Sequence, residues 1–163
     1  MPALTPRQTA EQFLRATLSP DPGDLAEFYA PEIVIEMPFA PAGLYPARIE
    51  TTREELRARF RAGAAARRYR DLRDVVIHET ADPGVVIVEY GLDGELTESA
   101  EPFSLRFVMV MTIRDGQIVH TRDYTDPIAG ARALGRVPQL LAALTGASPA
   151  ERPGASSAGG QAG

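Results

Sequence analysis

Phe107–Pro127, FVMVMTIRDGQIVHTRDYTDP, reads as one long antiparallel hairpin. Two runs rich in β-branched and aliphatic residues flank Asp115-Gly116, and Asp-Gly between such runs is a strong hairpin signal. Two turns fit it. A two-residue loop pairs Arg114 with Gln117 and sets Asp123 opposite Val108. A three-residue loop, Arg114-Asp115-Gly116 with glycine in the left-handed bulge position, pairs Phe107 with Asp123 and Met109 with Thr121. A one-residue change of partner moves a whole strand face. The three-residue loop is preferred, because it sets Phe107, Met109 and Met111 beside Asp123. In either register Val119, Thr121 and Asp123 share one side of their strand, with Ile118, His120, Arg122 and Tyr124 on the other.

Outward from the hairpin, further elements follow from cap, period and breaker signals. Thr5-Pro6-Arg7-Gln8 and Thr52-Arg53-Glu54-Glu55 are capping boxes opening helices. The first helix has Phe13, Leu14 and Leu18 as its apolar stripe, and the second runs to about Arg67 with Leu56 and Phe60 as anchors. A short helix is expected over Asp24–Ala30, stopped by Pro31, and a strand over Ile33–Met37, stopped by Pro38. Pro38–Glu50 reads as a long loop carrying Phe39, Leu44 and Tyr45. Arg67-Arg68-Tyr69-Arg70 reads as a solvated helix end. Strands are expected at Val75–Glu79, Val85–Tyr90, Pro102–Ile113 and Gln117–Tyr124. Asp126-Pro127 caps a short helix ended by Gly135, and Val137–Leu144 forms a last helical turn. On Val85–Tyr90, alternation puts Val86, Val88 and Tyr90 inside. Glu89 then faces outward with Val85 and Ile87, where it could meet Arg122 or His120.

Helices first and an antiparallel meander afterwards indicate an α+β fold. One domain is expected over residues 1–144. Residues 145–163, TGASPAERPGASSAGGQAG, have too little apolar content to bury and are expected to be a disordered tail. Strands that are apolar at nearly every position need cover on both faces. Helices would cover one face and a second copy of the chain the other, as a homodimer through the outer sheet face.

Composition narrows the chemistry. The chain has no cysteine, which excludes thiolate nucleophiles and disulfides, and only His78 and His120 could ligate a metal through imidazole. No metal and no cofactor are expected, and no Gly-rich phosphate loop is present. A formal charge of −5 argues against a nucleic-acid partner. No apolar run approaches the roughly 20 residues of a membrane span. The N-terminus lacks the layout of a signal peptide, so cytoplasm is the expected compartment.

Asp123 is the chemically informative residue, an acidic side chain closing an otherwise apolar strand. A carboxyl in an apolar pocket is raised in pKa by desolvation, towards the range where acid/base transfer is most effective. It could instead pair with Arg122 or cap the following turn, though Asp126 is the better placed cap. Glu36, the acidic residue within the first strand, either reaches the pocket or is solvated at the strand's end. Tyr90 and Thr121 are candidates to orient a ligand. Val88, Phe107, Met109 and Phe39 are candidates to line its pocket.

His78-Glu79-Thr80-Ala81-Asp82-Pro83, Val88-Glu89-Tyr90-Gly91, Asp115-Gly116-Gln117-Ile118, Arg122-Asp123-Tyr124, and Arg132-Ala133-Leu134 through Val137-Pro138-Gln139-Leu140 occur in this order. In that order the chain resembles the nuclear-transport-factor-2-like superfamily, in particular SnoaL-like polyketide cyclases and the phenazine-biosynthesis A/B proteins. The resemblance implies a cone-shaped α+β barrel, with N-terminal helices packed on a strongly curved, mainly antiparallel sheet. It implies Asp123 as proton donor or acceptor. It also implies cofactor-free isomerisation, cyclisation, dehydration or epoxide opening of a small hydrophobic or aromatic metabolite in bacterial secondary metabolism. Tyr90 and Leu92 stand where epoxide hydrolases of this fold carry an Arg-x-Asp pair. No histidine occurs over Glu55–Arg70, where the phenazine proteins supply one. A ligand-binding protein without turnover is the alternative reading on the same fold.

Overall fold

A computed structural model describes residues 3–146; the expected tail lies outside these residues but for Thr145 and Gly146, as does the start of the chain. Six strands form one open, mostly antiparallel sheet in the order β2-β1-β6-β5-β4-β3. They are β1 Tyr29–Glu36, β2 Arg48–Thr52, β3 Arg67–Glu79, β4 Val85–Leu96, β5 Pro102–Arg114 and β6 Gln117–Thr125. Only the β1–β6 pairing is parallel. Helices α1 Pro6–Ala16 and α2 Arg53–Ala64 open on the two expected capping boxes. Helices α3 Pro127–Ala133 and α4 Val137–Thr145 follow the sheet, and Asp126 caps α3 through the Ile128 and Ala129 amides.

The core lies on one face of the sheet. Phe13 and Leu14 of α1, Leu56 of α2, Ile33 and Ile35 of β1, Val86 and Val88 of β4, and Met109 and Met111 of β5 form a single buried cluster. The alternation read from β4 holds: Val86, Val88 and Tyr90 are buried, while Glu89 is exposed. Its outward partner is His78 of β3, with Nε2 2.7 Å from Oε1. Neither Arg122 nor His120 can fill that role, because β5 separates β4 from β6.

Several boundaries differ from the sequence reading, among them the end of β4, which runs on from the expected Tyr90 to Leu96. The segment before β1 is a 3-10 helix, Pro22–Phe28, and the strand begins at Tyr29 and runs through Pro31. Proline is tolerated there because pairing with β2 starts only at Glu32 and the β6 ladder is interrupted between Tyr29 and Val34. The end of the expected long loop is the short edge strand β2. The arginine-rich run Arg67–Arg70 starts β3 instead of ending a helix. Charged residues on an edge strand oppose edge-to-edge pairing.

Candidate active site

The hairpin turn is the two-residue one. Arg114 pairs with Gln117, and Asp115 (φ 50°) and Gly116 (φ 76°) both occupy the left-handed region that a type I′ turn requires. The preferred three-residue loop is therefore incorrect. The register then shifts between Thr112 and Ile113: Ile113 pairs with Ile118, but Thr112 pairs with His120, leaving Val119 as an extra residue. Beyond this bulge Met111 faces Thr121 and Met109 faces Asp123. The partners are offset by two residues from those expected, and an even offset preserves the face. Asp123 accordingly shares its side with Met109 and Met111, as expected. The bulge also turns Ile118 inward, where it is fully buried, contrary to its expected place beside His120.

Asp123 thus projects from β6 onto the core face of the sheet. Its row across the sheet is Asp123, Met109, Val88 and Ile77. The row beneath contains Thr121, Met111 and Val86, all buried. Asp123 Oδ1 and Thr121 Oγ1 are buried without a hydrogen-bond partner among the described residues. Burial in this apolar setting pushes the Asp123 carboxyl up from 3.8 to about 6, with the neighbouring Thr121 hydroxyl pulling the other way. A carboxyl titrating there can donate or accept a proton near neutral pH.

Two phenols belong to the same interior. Tyr90 is buried, and its ring stacks on Phe107 at 5.0 Å between centroids, with 18° between planes. Burial first, then the Asp123 charge, then Tyr69 holds the Tyr90 hydroxyl well above the usual phenol range. Tyr29, which the sequence reading missed, is raised by burial first, then by Asp123 and then by Tyr90. Its ring is fixed edge-on to Phe13 at 5.8 Å, and Arg53 Nε donates to its carbonyl at 2.7 Å. Extending the Ile33–Ile35 alternation backwards past Pro31 would have placed Tyr29 inward. Both phenols stay neutral around pH 7 and can act only as hydrogen-bond partners.

The other sequence-predicted residues divide cleanly. Tyr90, Thr121, Phe107, Met109 and Val88 lie on the Asp123 face. Glu36 does not. It pairs with Arg122 and Arg48 in the strand registers, on the outer face of the sheet. Its Oε1 accepts from Arg48 at 2.7 Å, and Oε2 lies 3.6 Å from His120 Nε2. Phe39 is 63% exposed and packs edge-on to Tyr124 at 5.3 Å, again away from Asp123. A surface hollow of about 160 Å³ is bordered by Tyr90, Phe107, Val108, Tyr124, Glu89, Asp74 and Arg106. Glu89, Val108, Tyr124, Asp74 and Arg106 lie on the outer face, so the hollow opens mainly on the side of the sheet away from Asp123.

An open, mostly antiparallel six-stranded sheet with helices and an acid on its core face is an α+β fold of the nuclear-transport-factor-2-like type, and the sheet is not closed into the expected barrel. The chain belongs to the SnoaL-like domain family, whose pattern matches residues 10–121, ending two residues before Asp123. It is 34% identical over 134 residues to a PhzA/B-like protein of Pseudomonas aeruginosa, covering 82% of this chain and 93% of that one. Among solved structures it is similar to a Bacillus subtilis protein provisionally named an isomerase. That likeness has a TM-score of 0.71 and 28% identity, covering 80% of this chain and 92% of that one. A phenazine biosynthesis-related protein of Pseudomonas aeruginosa shares the fold at a TM-score of 0.62 and 16% identity, over 80% of this chain and 86% of that one.

Proposed function

We propose that this protein is a cofactor-independent acid/base enzyme acting on a small hydrophobic or aromatic secondary metabolite, with Asp123 moving the proton. The observation that carries this reading is a lone carboxyl oxygen, buried without a partner in an apolar row and titrating near neutrality. Tyr90 and Thr121 orient the substrate, and Val88, Met109 and Phe107 wall it. Glu36 takes no part, being on the far face of the sheet. The names carried by relatives favour isomerisation or cyclisation within the wider group that includes dehydration and epoxide opening. The working form is a homodimer closed through the outer sheet face, where Val76 and Val108 are 47% and 38% exposed.

A second reading, ligand binding without turnover, is favoured by one observation: the hollow bordered by Tyr90 and Phe107 opens mainly on the outer sheet face, away from Asp123. The discriminating variant is Asp123→Asn. Hydrogen–deuterium exchange at the acidic C–H positions of a panel of cyclic ketones and β-keto esters reports proton transfer, and ligand-observed NMR reports affinity. A positioned acid/base group contributes on the order of 10²–10⁴ in rate. Exchange lost on that scale with affinity retained supports the enzyme. Affinity for the panel without exchange by the wild type supports the binding protein, and equal exchange in both forms removes Asp123 from the mechanism.

A further inference from the structure

β1 and β6 run parallel, with Glu36 of β1 opposite Arg122 of β6, so the chain leaves both strands at the same end of the sheet. Asp123 sits at that end, two residues before β6 stops at Thr125. The segments that follow the two strands, 37–47 after β1 and α3–α4 after β6, are therefore neighbours beside the acid. They touch. Arg136, between α3 and α4, donates from its guanidinium to the Tyr45 hydroxyl at 3.0 Å, a contact between residues 91 apart in the chain. Segment 37–47 is itself fixed: the Met37 amide donates to the Ala47 carbonyl at 2.8 Å, and Phe39 packs edge-on to Tyr124.

The helix pair is held more loosely. α3 packs on β5, and α4 packs on α3. Leu140 is the one buried residue of α4, whereas Val137, Leu141 and Leu144 are 38%, 56% and 68% exposed. Arg136, at the start of α4, makes no side-chain capping bond, which leaves that end weaker than a capped one. Gly130 lies within α3 where a Cβ would meet open space. No close approach requires glycine there, so its effect is to weaken the helix. Elements that bury little apolar surface are the ones that open at least cost. Asp123 has need of one: its Oδ1 is buried, and neither the outer-face hollow nor a second hollow, between Arg132 and Ala133 of α3 and the Leu96–Pro102 turn, includes it.

We propose that α3–α4 is a lid at the Asp123 end of the sheet, and that the Arg136–Tyr45 hydrogen bond is its latch. With the bond made, the acid is shut off from a ligand. With it broken, the helix pair lifts from β5 and opens the core face to a small molecule. Closing again afterwards excludes water from the acid. The inference rests on Asp123 being the group a ligand must reach.

Two readouts at one pH test it. Carbodiimide coupling of glycine ethyl ester to carboxyl groups, followed residue by residue by mass spectrometry, reports access to Asp123. Amide hydrogen exchange reports opening of α3–α4. Tyr45→Phe removes only the hydroxyl and Arg136→Ala only the donor, and both side chains are exposed, so neither change disturbs the core. Each should speed both readouts by roughly two- to tenfold, the range for loss of one hydrogen bond. Gly130→Ala should slow both about fivefold by stiffening α3. The chain has no cysteine, so Tyr45→Cys with Arg136→Cys, joined by a bismaleimide, ties the latch shut. Asp123 labelling should then be suppressed, while the exposed Glu50 and Glu89 label as before. Labelling of Asp123 that is the same in every form, none included, overturns the proposal, as does faster α3–α4 exchange without faster labelling. Neither readout involves turnover, so the two ideas separate. If labelling follows the latch while Asp123→Asn leaves C–H exchange unchanged, the lid stands and the catalytic reading falls. If Asp123→Asn abolishes C–H exchange while labelling ignores the latch, the acid stands and the lid falls.

Discussion

Replacing Asp123 by asparagine should stabilise the protein, and by an amount that depends on pH in a defined way. Burial holds the carboxyl at about 6 in the folded chain against 3.8 when it is free. Well below pH 3.8 the group is protonated in both folded and unfolded chains and carries no penalty. As pH rises from about 4 to about 6 the unfolded chain gives up the proton while the folded chain retains it, so stability falls. Above the folded value the full difference has been lost. About two pKa units at 1.36 kcal/mol each put that loss on the order of 3 kcal/mol. Asparagine is close in shape and does not titrate, so the variant escapes the loss. For a chain of this size the gain corresponds to roughly 6–12 °C in Tm. Calorimetric melts of both proteins from pH 3.5 to pH 8 measure it. The constant part of the difference includes the cost of burying an amide, so the decisive feature is shape. The gap must open between pH 4 and pH 6 and stay level above. A gap that is flat across the range would refute the claim that the half-buried Asp123 carboxyl is desolvated and raised.

Two other outcomes follow from the same geometry. Gly94→Ala should destabilise by about 1–3 kcal/mol, the usual scale of overpacking, because its Cβ would lie 2.4 Å from the Arg68 carbonyl oxygen; urea unfolding midpoints measure this, and a neutral result would mean that β3 and β4 separate freely. Val108→Glu places a charge on the exposed outer face directly opposite Glu89, so light scattering should show the variant as a monomer if copies pair through that face, and a monomeric wild type would dispose of the homodimer.

Local physics made much of the fold legible before any coordinates. Both capping boxes, the Asp126-Pro127 helix start and the inward set Val86, Val88 and Tyr90 follow from short-range rules, and they hold. Readings failed where an element owes its conformation to a neighbour. Arg67–Arg70 has the composition of a solvated helix end but is a strand, because β4 supplies its partner. Arg48–Thr52 is too short and too polar to announce itself, yet β1 recruits it. Tyr29 was hidden behind Pro31, which reads as a breaker until the gap in the β6 ladder is known. Glu36 was resolvable from parity alone. Ile33 and Ile35 face the core, so their neighbour faces away.

The site depends most on a residue with no sequence signal. With β6 regular, Ile118, His120, Arg122 and Tyr124 would share one face, while Thr121 and Asp123 would share the other. A regular strand could then bury Ile118 in the floor of the core only by turning Asp123 out to solvent. It could turn Asp123 inward only by exposing Ile118. The extra residue at Val119 removes the conflict by reversing parity once, between the two. Below the bulge Ile118 packs opposite Ile113, and above it Thr121 and Asp123 pack opposite Met111 and Met109. One unpaired residue therefore lets a single strand supply both the dry floor that raises the acid's pKa and the acid itself.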